Sequence, residues 1–339
     1  MGLGSAVGAV TGRADPATPA GRQFPLRRVL RSVLIATALV LLAVALAREG
    51  RGLLAALRRL DGWLVAAAGL AVLAALMASM LSWHAVLAGL GSRLPLPAAG
   101  RLYFLAQLGK YVPGSVWPVV AQVELGREYQ VPAARSVAAA GLNMILNLVI
   151  GVLVGLAGLG LADPAGFDQH WWLLFLVPPS LVLLHPAVMQ RFTNLALRLL
   201  RRPTIQTWPG AAALLRASGW SVAMWIAFGV HIALLAHGTG AQGRWLVVLC
   251  TGAYALAWVT GFVVIFAPAG AGPREIVLVV TLAQVLPQSA ALAVALVSRV
   301  LGMVGDLVVM LLGLAAEKWH RRHSPTALSI DDIEQTPTG

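Results

Sequence analysis

Residues 63–83 read WLVAAAGLAVLAALMASMLSW, an uncharged run of 21 residues bracketed by Trp63 and Trp83. A helix of about 20 residues rises about 30 Å, the thickness of a bilayer's hydrocarbon core. In that medium an unpaired backbone N–H or C=O costs several kcal/mol, so a spanning segment must satisfy its own backbone, and a helix does so internally. The stretch predicts a membrane-crossing α-helix. Working outward, comparable apolar runs recur at about 29–47, 134–160, 171–185, 218–237, 245–267 and 289–316. The fold expected is all-α: a polytopic transmembrane helical bundle of about seven or eight membrane segments.

Composition agrees. Apolar residues fill 59% of the 339 positions and charged residues only 11%, too few to coat a soluble surface. The net charge of +12 comes from arginines in connectors beside apolar runs, which suits anionic lipid headgroups and argues against nucleic acid as partner. The single cysteine, Cys250, excludes an intrachain disulfide and reads as inert packing. The seven histidines show no metal-ligand spacing, and no nucleophile elbow or phosphate-binding loop occurs, so neither a metal nor another cofactor is expected.

Residues 1–28 are expected to form a disordered cytoplasmic tail, 29–317 the membrane domain and 318–339 a cytoplasmic C-terminal tail. Arg22, Arg27, Arg28 and Arg31, followed by apolar residues from Val33 and by Ala45-Leu46-Ala47, imitate a cleavable signal peptide. The length of the apolar run favours a retained first helix instead. Trp63, Trp83, Trp171, Trp172, Trp220, Trp245 and Trp319 fall at segment ends, where an indole suits the headgroup layer. The connector 186–216 carries Arg191, Arg198, Arg201, Arg202 and Arg216 with no acid, and is expected inside; 161–170 carries Asp163 and Asp168 with no base, and is expected outside. Lys318, Arg321 and Arg322 put the C-terminus inside as well, so an even number of crossings is needed, and 273–286 is favoured over 98–125 as the eighth.

Two segments combine helix breakers with charge at membrane depth. One reads GKYVPGSVWP over 109–118, followed by Glu124, Arg127 and Glu128; the other reads APAGAGPRE over 267–275. Pro113 and Pro118 lack a backbone donor, and Gly114, Gly270 and Gly272 permit conformations a helix forbids. Pro113 lies 21 residues before the 134–160 run and Pro268 lies 21 before the 289–316 run. Equal offsets suggest two repeat halves, each with one Pro/Gly-broken, re-entrant or crossing segment. Paired interruptions of this kind point to a transporter's binding site, because freed helix ends can meet a ligand's charge.

Arg299 and Asp306, seven apart in the last run, share a helix face about 10 Å apart along the axis, too far for direct pairing. Intramembrane charges of this kind face a cavity or a partner, and a purely structural pairing with Glu275 or another acid is the alternative. Asn143 and Asn147 form a polar face suited to interhelical hydrogen bonds, and Gly151 and Gly155 a small-residue face for close helix packing. The residues expected to meet an anionic lipid headgroup are Lys110, Tyr111, Arg127, Arg274 and Arg299, supported by Pro113, Gly114, Gly270, Gly272, Glu275 and Asp306. No catalytic residue is assigned.

On these motifs, Gly109 to Trp117 with Arg127, and Pro268 to Glu275 with Arg299, the sequence resembles the lysylphosphatidylglycerol synthase transmembrane-domain family, also described as flippase-like. The resemblance covers about residues 30–316 and departs from the family pattern at Pro273. It implies a multi-pass plasma-membrane bundle that moves a lipid between leaflets, in some relatives fused to a cytoplasmic aminoacylating domain. The 20 residues after Trp319 are too few for such a domain, so the synthase activity is not carried over. The leading expectation is a non-enzymatic translocase of an anionic or modified phospholipid or lipid-linked headgroup. The alternatives are a membrane component of glycosyl-lipid assembly, working beside or as a glycosyltransferase, and a scaffold for a separate lipid synthase. Glu124, Glu128, Glu275 and Asp306 are the only candidate acids, few for metal binding or acceptor activation.

Overall fold

The computed structural model describes residue 55 and residues 58–111, 116–162, 171–199, 203–205, 207–263 and 272–323. The first apolar run, the N-terminal tail, residues 324–339, Arg201, Pro113, Gly114 and Gly270 lie outside these residues, while 318–323, expected to begin the C-terminal tail, continue the last helix. All described regular structure is helical. We number the helices α1 (Gly62–Gly89), α2 (Leu96–Gln107), α3 (Trp117–Arg127), α4 (Ala133–Ala162), α5 (Val177–Leu184), α6 (Pro186–Leu199), α7 (Ala211–Gly238), α8 (Leu246–Val263), α9 (Pro273–Leu282) and α10 (Gln288–His323). Short 3₁₀ turns at Leu108–Tyr111 and Trp171–Leu176 extend α2 and precede α5.

Among the described helices α1, α4, α7 and α10 are each long and apolar enough to cross a bilayer, and the bent pair formed by 171–184 and α6 makes a fifth if counted as one span. α8 is a shorter apolar helix. The expectation that 273–286 supplies a crossing fails as a single helix. α9 has 10 residues, which rise about 15 Å, half the hydrocarbon thickness. The 98–125 run is likewise divided, into α2 and α3. The run at 171–185 is also broken: a 3₁₀ turn leads into an eight-residue helix that Pro186 ends with a 77° bend into α6. Within the connector expected inside, α6 exposes Phe192, Leu195 and Leu199 beside Arg191 and Arg198, a pattern suited to lying in the headgroup layer.

The two halves repeat a local plan. A short helix (α3, α9) that opens with proline at its first or second position is followed by five residues, 128–132 and 283–287, and then by a long membrane helix (α4, α10). Both connectors end in proline, Pro132 and Pro287, where fixed φ suits a helix start.

Small residues set how closely the long helices pack. α4 lies against α8, and a Cβ added at Gly158 would sit 2.8 Å from the Gly252 Cα, while one at Gly155 would sit 2.6 Å from Leu256. Gly151 faces Trp225 in the same way. Polar bonds tie the same helices together: Ser82 of α1 donates to the Asn143 Oδ1 at 2.9 Å and to the Ala217 carbonyl at 3.0 Å. Ser221 of α7 donates to Asn147 of α4. Cys250 is buried in this packing. The tryptophans at positions 63, 171, 172, 220, 245 and 319 are exposed, as a headgroup position requires, but Trp83 is buried. The helix runs on to Gly89, which carries Trp83 inside the bundle rather than to its end.

Candidate functional site: a charged cavity between the halves

A cavity of about 310 Å³ opens where the two halves meet. Its walls come from α1 (Ser79, Trp83), α2 (Tyr103, Gln107), α3 (Gln122) and α4 (Asn143, Asn147) on one side. On the other they come from α7 (Trp225, Phe228), α8 (Tyr254, Trp258), α9 (Arg274) and α10 (Arg299, Asp306). Lys110 and Tyr111, on the 3₁₀ turn that ends α2, also line it.

The broken segments put the charges there. Lys110 Nζ donates to Asp306 Oδ1 at 2.8 Å, and the Tyr111 hydroxyl donates to Oδ2 at 2.5 Å. These two bonds cross from the first half to the second. Asp306 is almost wholly enclosed, at 6% side-chain exposure against 34% for Lys110, so the lysine keeps one side toward the open cavity. A carboxylate in such a position is tolerable only with this kind of pairing.

In the second half Glu275 serves two roles. Its Oε1 accepts from Arg299 Nη1 at 2.6 Å, and its Oε2 accepts the Gly272 N–H at 2.7 Å, so it closes the open N-terminal turn of α9. Gly272 has φ +96°, a region that disfavours any side chain, and Pro273 occupies the first helical position, where its missing N–H is harmless. The departure from the family pattern at Pro273 therefore has a local structural account. Arg274 Nη2 donates to the Tyr254 hydroxyl at 2.6 Å, and its guanidinium carbon lies 4.6 Å from the centre of that ring. Tyr254 is in turn stacked on Phe228 at 4.7 Å.

Of the residues singled out in the sequence, the structure brings Lys110, Tyr111, Arg274, Arg299 and Asp306 to the cavity wall, with Glu275 bonded to Arg299. It does not bring Arg127. That residue ends α3 on the surface, at 62% side-chain exposure, and pairs 3.1 Å away with Glu124, itself 68% exposed. The two acids divide their work. Glu275 holds Arg299, whereas Asp306 holds Lys110 and Tyr111.

Asn143 and Asn147 stand out in the sequence as a polar face, but the aromatic wall and Gln122 do not. Trp225, Tyr254 and Trp258 sit in apolar runs where aromatic residues are unremarkable, and Gln122 is one amide in a broken segment. A second polar cluster joins residues far apart in the sequence. Glu317 of α10, with 5% side-chain exposure, bonds to Arg101 of α2 at 3.2 Å, to Arg321 at 2.8 Å and to the Tyr129 hydroxyl. Arg101 also meets Glu128 at 2.5 Å, and this bond holds the Glu128 carboxyl below its usual range. The cluster ties the end of α10 to α2 and to the α3–α4 connector. Among the described residues no group of His, Cys, Asp and Glu could hold a metal ion.

The sequence model of the lysylphosphatidylglycerol synthase TM region matches residues 29–313. The chain belongs to this family. As a lysylphosphatidylglycerol synthase TM-region protein it is a multi-pass membrane protein connected with lipid handling, and the cavity lies wholly within the matched region. No curated protein matches the sequence.

Proposed function

We propose that this protein moves an anionic phospholipid, or a lipid carrying a phosphate-linked headgroup, between the leaflets of the plasma membrane, without catalysing a reaction. Both termini then face the cytoplasm, and a separate lipid synthase or glycosyltransferase supplies or consumes the cargo. The observation that carries the reading is the cavity itself, where Lys110, Arg274 and Arg299 converge between the halves of a membrane bundle. Burying cations there is costly unless an anion completes the site. Arg274 has only Tyr254 as its partner among the described residues, so its fork is the group best placed to take a phosphate oxygen pair. Asp306, the one carboxylate on the wall among the described residues, is already engaged by Lys110 and Tyr111, which favours binding over acid–base chemistry.

Leaflet exchange of fluorescently labelled phosphatidylglycerol in proteoliposomes tests this. Arg274→Lys and Arg299→Lys keep charge but lose the planar fork, so exchange is expected to fall on the order of tenfold, one charge-assisted bond's worth. Arg216→Lys, on the exposed flank of α7, is expected to leave it unchanged. Wild-type exchange in both cavity variants would remove the phosphate-site assignment.

A further inference from the structure

Resting on that reading, we infer that the group attached to the lipid phosphate is uncharged and polyhydroxylated: a glycosyl or glycerol head on a monoanionic phosphodiester, not an aminoacyl or other cationic head.

The first argument is charge balance. Among the described residues the charged wall side chains are Lys110, Arg274, Arg299 and Asp306. Lys110 is neutralised by Asp306 at 2.7 Å, and Arg299 by Glu275 at 2.6 Å. One positive charge, on Arg274, is left without a carboxylate among the described residues. One phosphodiester carries one negative charge, so the two match. An aminoacyl head would bring at least one further cation, which would need a carboxylate to receive it. Each acid within reach already accepts two bonds, Asp306 from Lys110 and Tyr111, and Glu275 from Arg299 and the Gly272 N–H. Residues 112–115 and 264–271 contain no ionisable side chain.

The second argument is the chemistry of the remaining wall. Beyond the charges it offers the amides of Gln122, Asn143 and Asn147, the oxygens of the last two already accepting from Ser82 and Ser221, and the half-buried ring of Trp258. An amide both donates and accepts, as a hydroxyl does, so amides pair with a polyol in several orientations. Aromatic rings offer flat apolar faces to the C–H side of a sugar or glycerol. Buried polar atoms are as a rule hydrogen-bonded, yet Gln122 Oε1, Trp83 Nε1 and Trp225 Nε1 have no partner among the described residues. One acceptor and two donors thus stand unsatisfied on wall residues, a mixed set that a hydroxylated ligand can serve once these side chains turn toward it. The volume of about 310 Å³ sits at the low end of small-molecule pockets, fitting one headgroup with the acyl chains outside.

The test is lipid binding by native mass spectrometry and by thermal stabilisation of the full-length protein in detergent. The probes are phosphatidylglycerol, lysylphosphatidylglycerol, phosphatidylethanolamine, phosphatidic acid and a polyprenyl phosphodiester of a hexose. Phosphatidylglycerol or the hexosyl phosphodiester is expected to bind on the order of tenfold tighter than lysylphosphatidylglycerol or phosphatidylethanolamine, and the tighter of the two identifies the head. Gln122→Leu should erase most of that preference while leaving phosphatidic acid binding intact, and Arg274→Gln should weaken every anionic probe. Lysylphosphatidylglycerol binding as tightly as phosphatidylglycerol, with Arg274→Gln still weakening both, overturns this inference and leaves the phosphate site standing. If Arg274→Gln weakens none of them, the proposed function fails instead.

Discussion

The Arg299–Glu275 pair should be energetically coupled far more strongly than Arg127–Glu124, although both are single arginine–glutamate contacts. The difference is exposure. Arg299 and Glu275 keep 24% and 19% of their side-chain surface, at 2.6 Å, whereas Arg127 and Glu124 keep 62% and 68%, at 3.1 Å. Exposed pairs typically contribute about 0.2–1 kcal/mol, while hydrogen bonds to charged groups shielded from water contribute about 1.5–3 kcal/mol. The perturbations are Arg299→Met, Glu275→Gln and the double variant, with Arg127→Met, Glu124→Gln and their double as reference; methionine keeps the apolar stem. Coupling energies from reversible unfolding in mixed micelles should be about 1.5–2 kcal/mol for the first pair and below about 0.5 kcal/mol for the second. Arg299→Met alone should be worse than the double variant, because it leaves an enclosed carboxylate unpaired. Glu275→Ala should cost about 1 kcal/mol more than Glu275→Gln, since glutamine can still accept the Gly272 N–H. Equal coupling in the two pairs would refute the claim that enclosure at the cavity sets the strength of this contact.

Gly272→Ala should destabilise the protein by about 1–3 kcal/mol in the same assay through backbone strain at φ +96°, since an added Cβ there meets no neighbouring atom; a neutral result would mean that the turn relaxes freely. In a background lacking Cys250, cysteines at positions 201 and 324 should resist an impermeant external reagent in intact cells. Labelling of both would reverse the proposed orientation, and labelling of position 324 alone would show an odd number of crossings.

The long spans were legible in the sequence because a bilayer leaves one answer to an uncharged 21-residue run such as 63–83: a helix whose backbone bonds are all internal. The breaks were equally legible, since proline and glycine act locally, and the matched offsets of Pro113 and Pro268 anticipated the matched short helices α3 and α9. So was the separation of Arg299 from Asp306, which helix geometry fixes without knowledge of any neighbour. What the chain's periodicity does not encode is which helices meet. Only tertiary packing decided that Asp306 takes Lys110 and Tyr111 from nearly 200 positions away, that Glu275 takes Arg299, and that Arg127 points outward to Glu124. The same packing carried Trp83 from an expected headgroup position to the cavity wall beside Trp225 and Tyr254. In an apolar helix every face looks alike to a sequence pattern. The close approaches allowed by Gly158 and Gly252, and the Ser82–Asn143 and Ser221–Asn147 bonds, select the faces that turn inward.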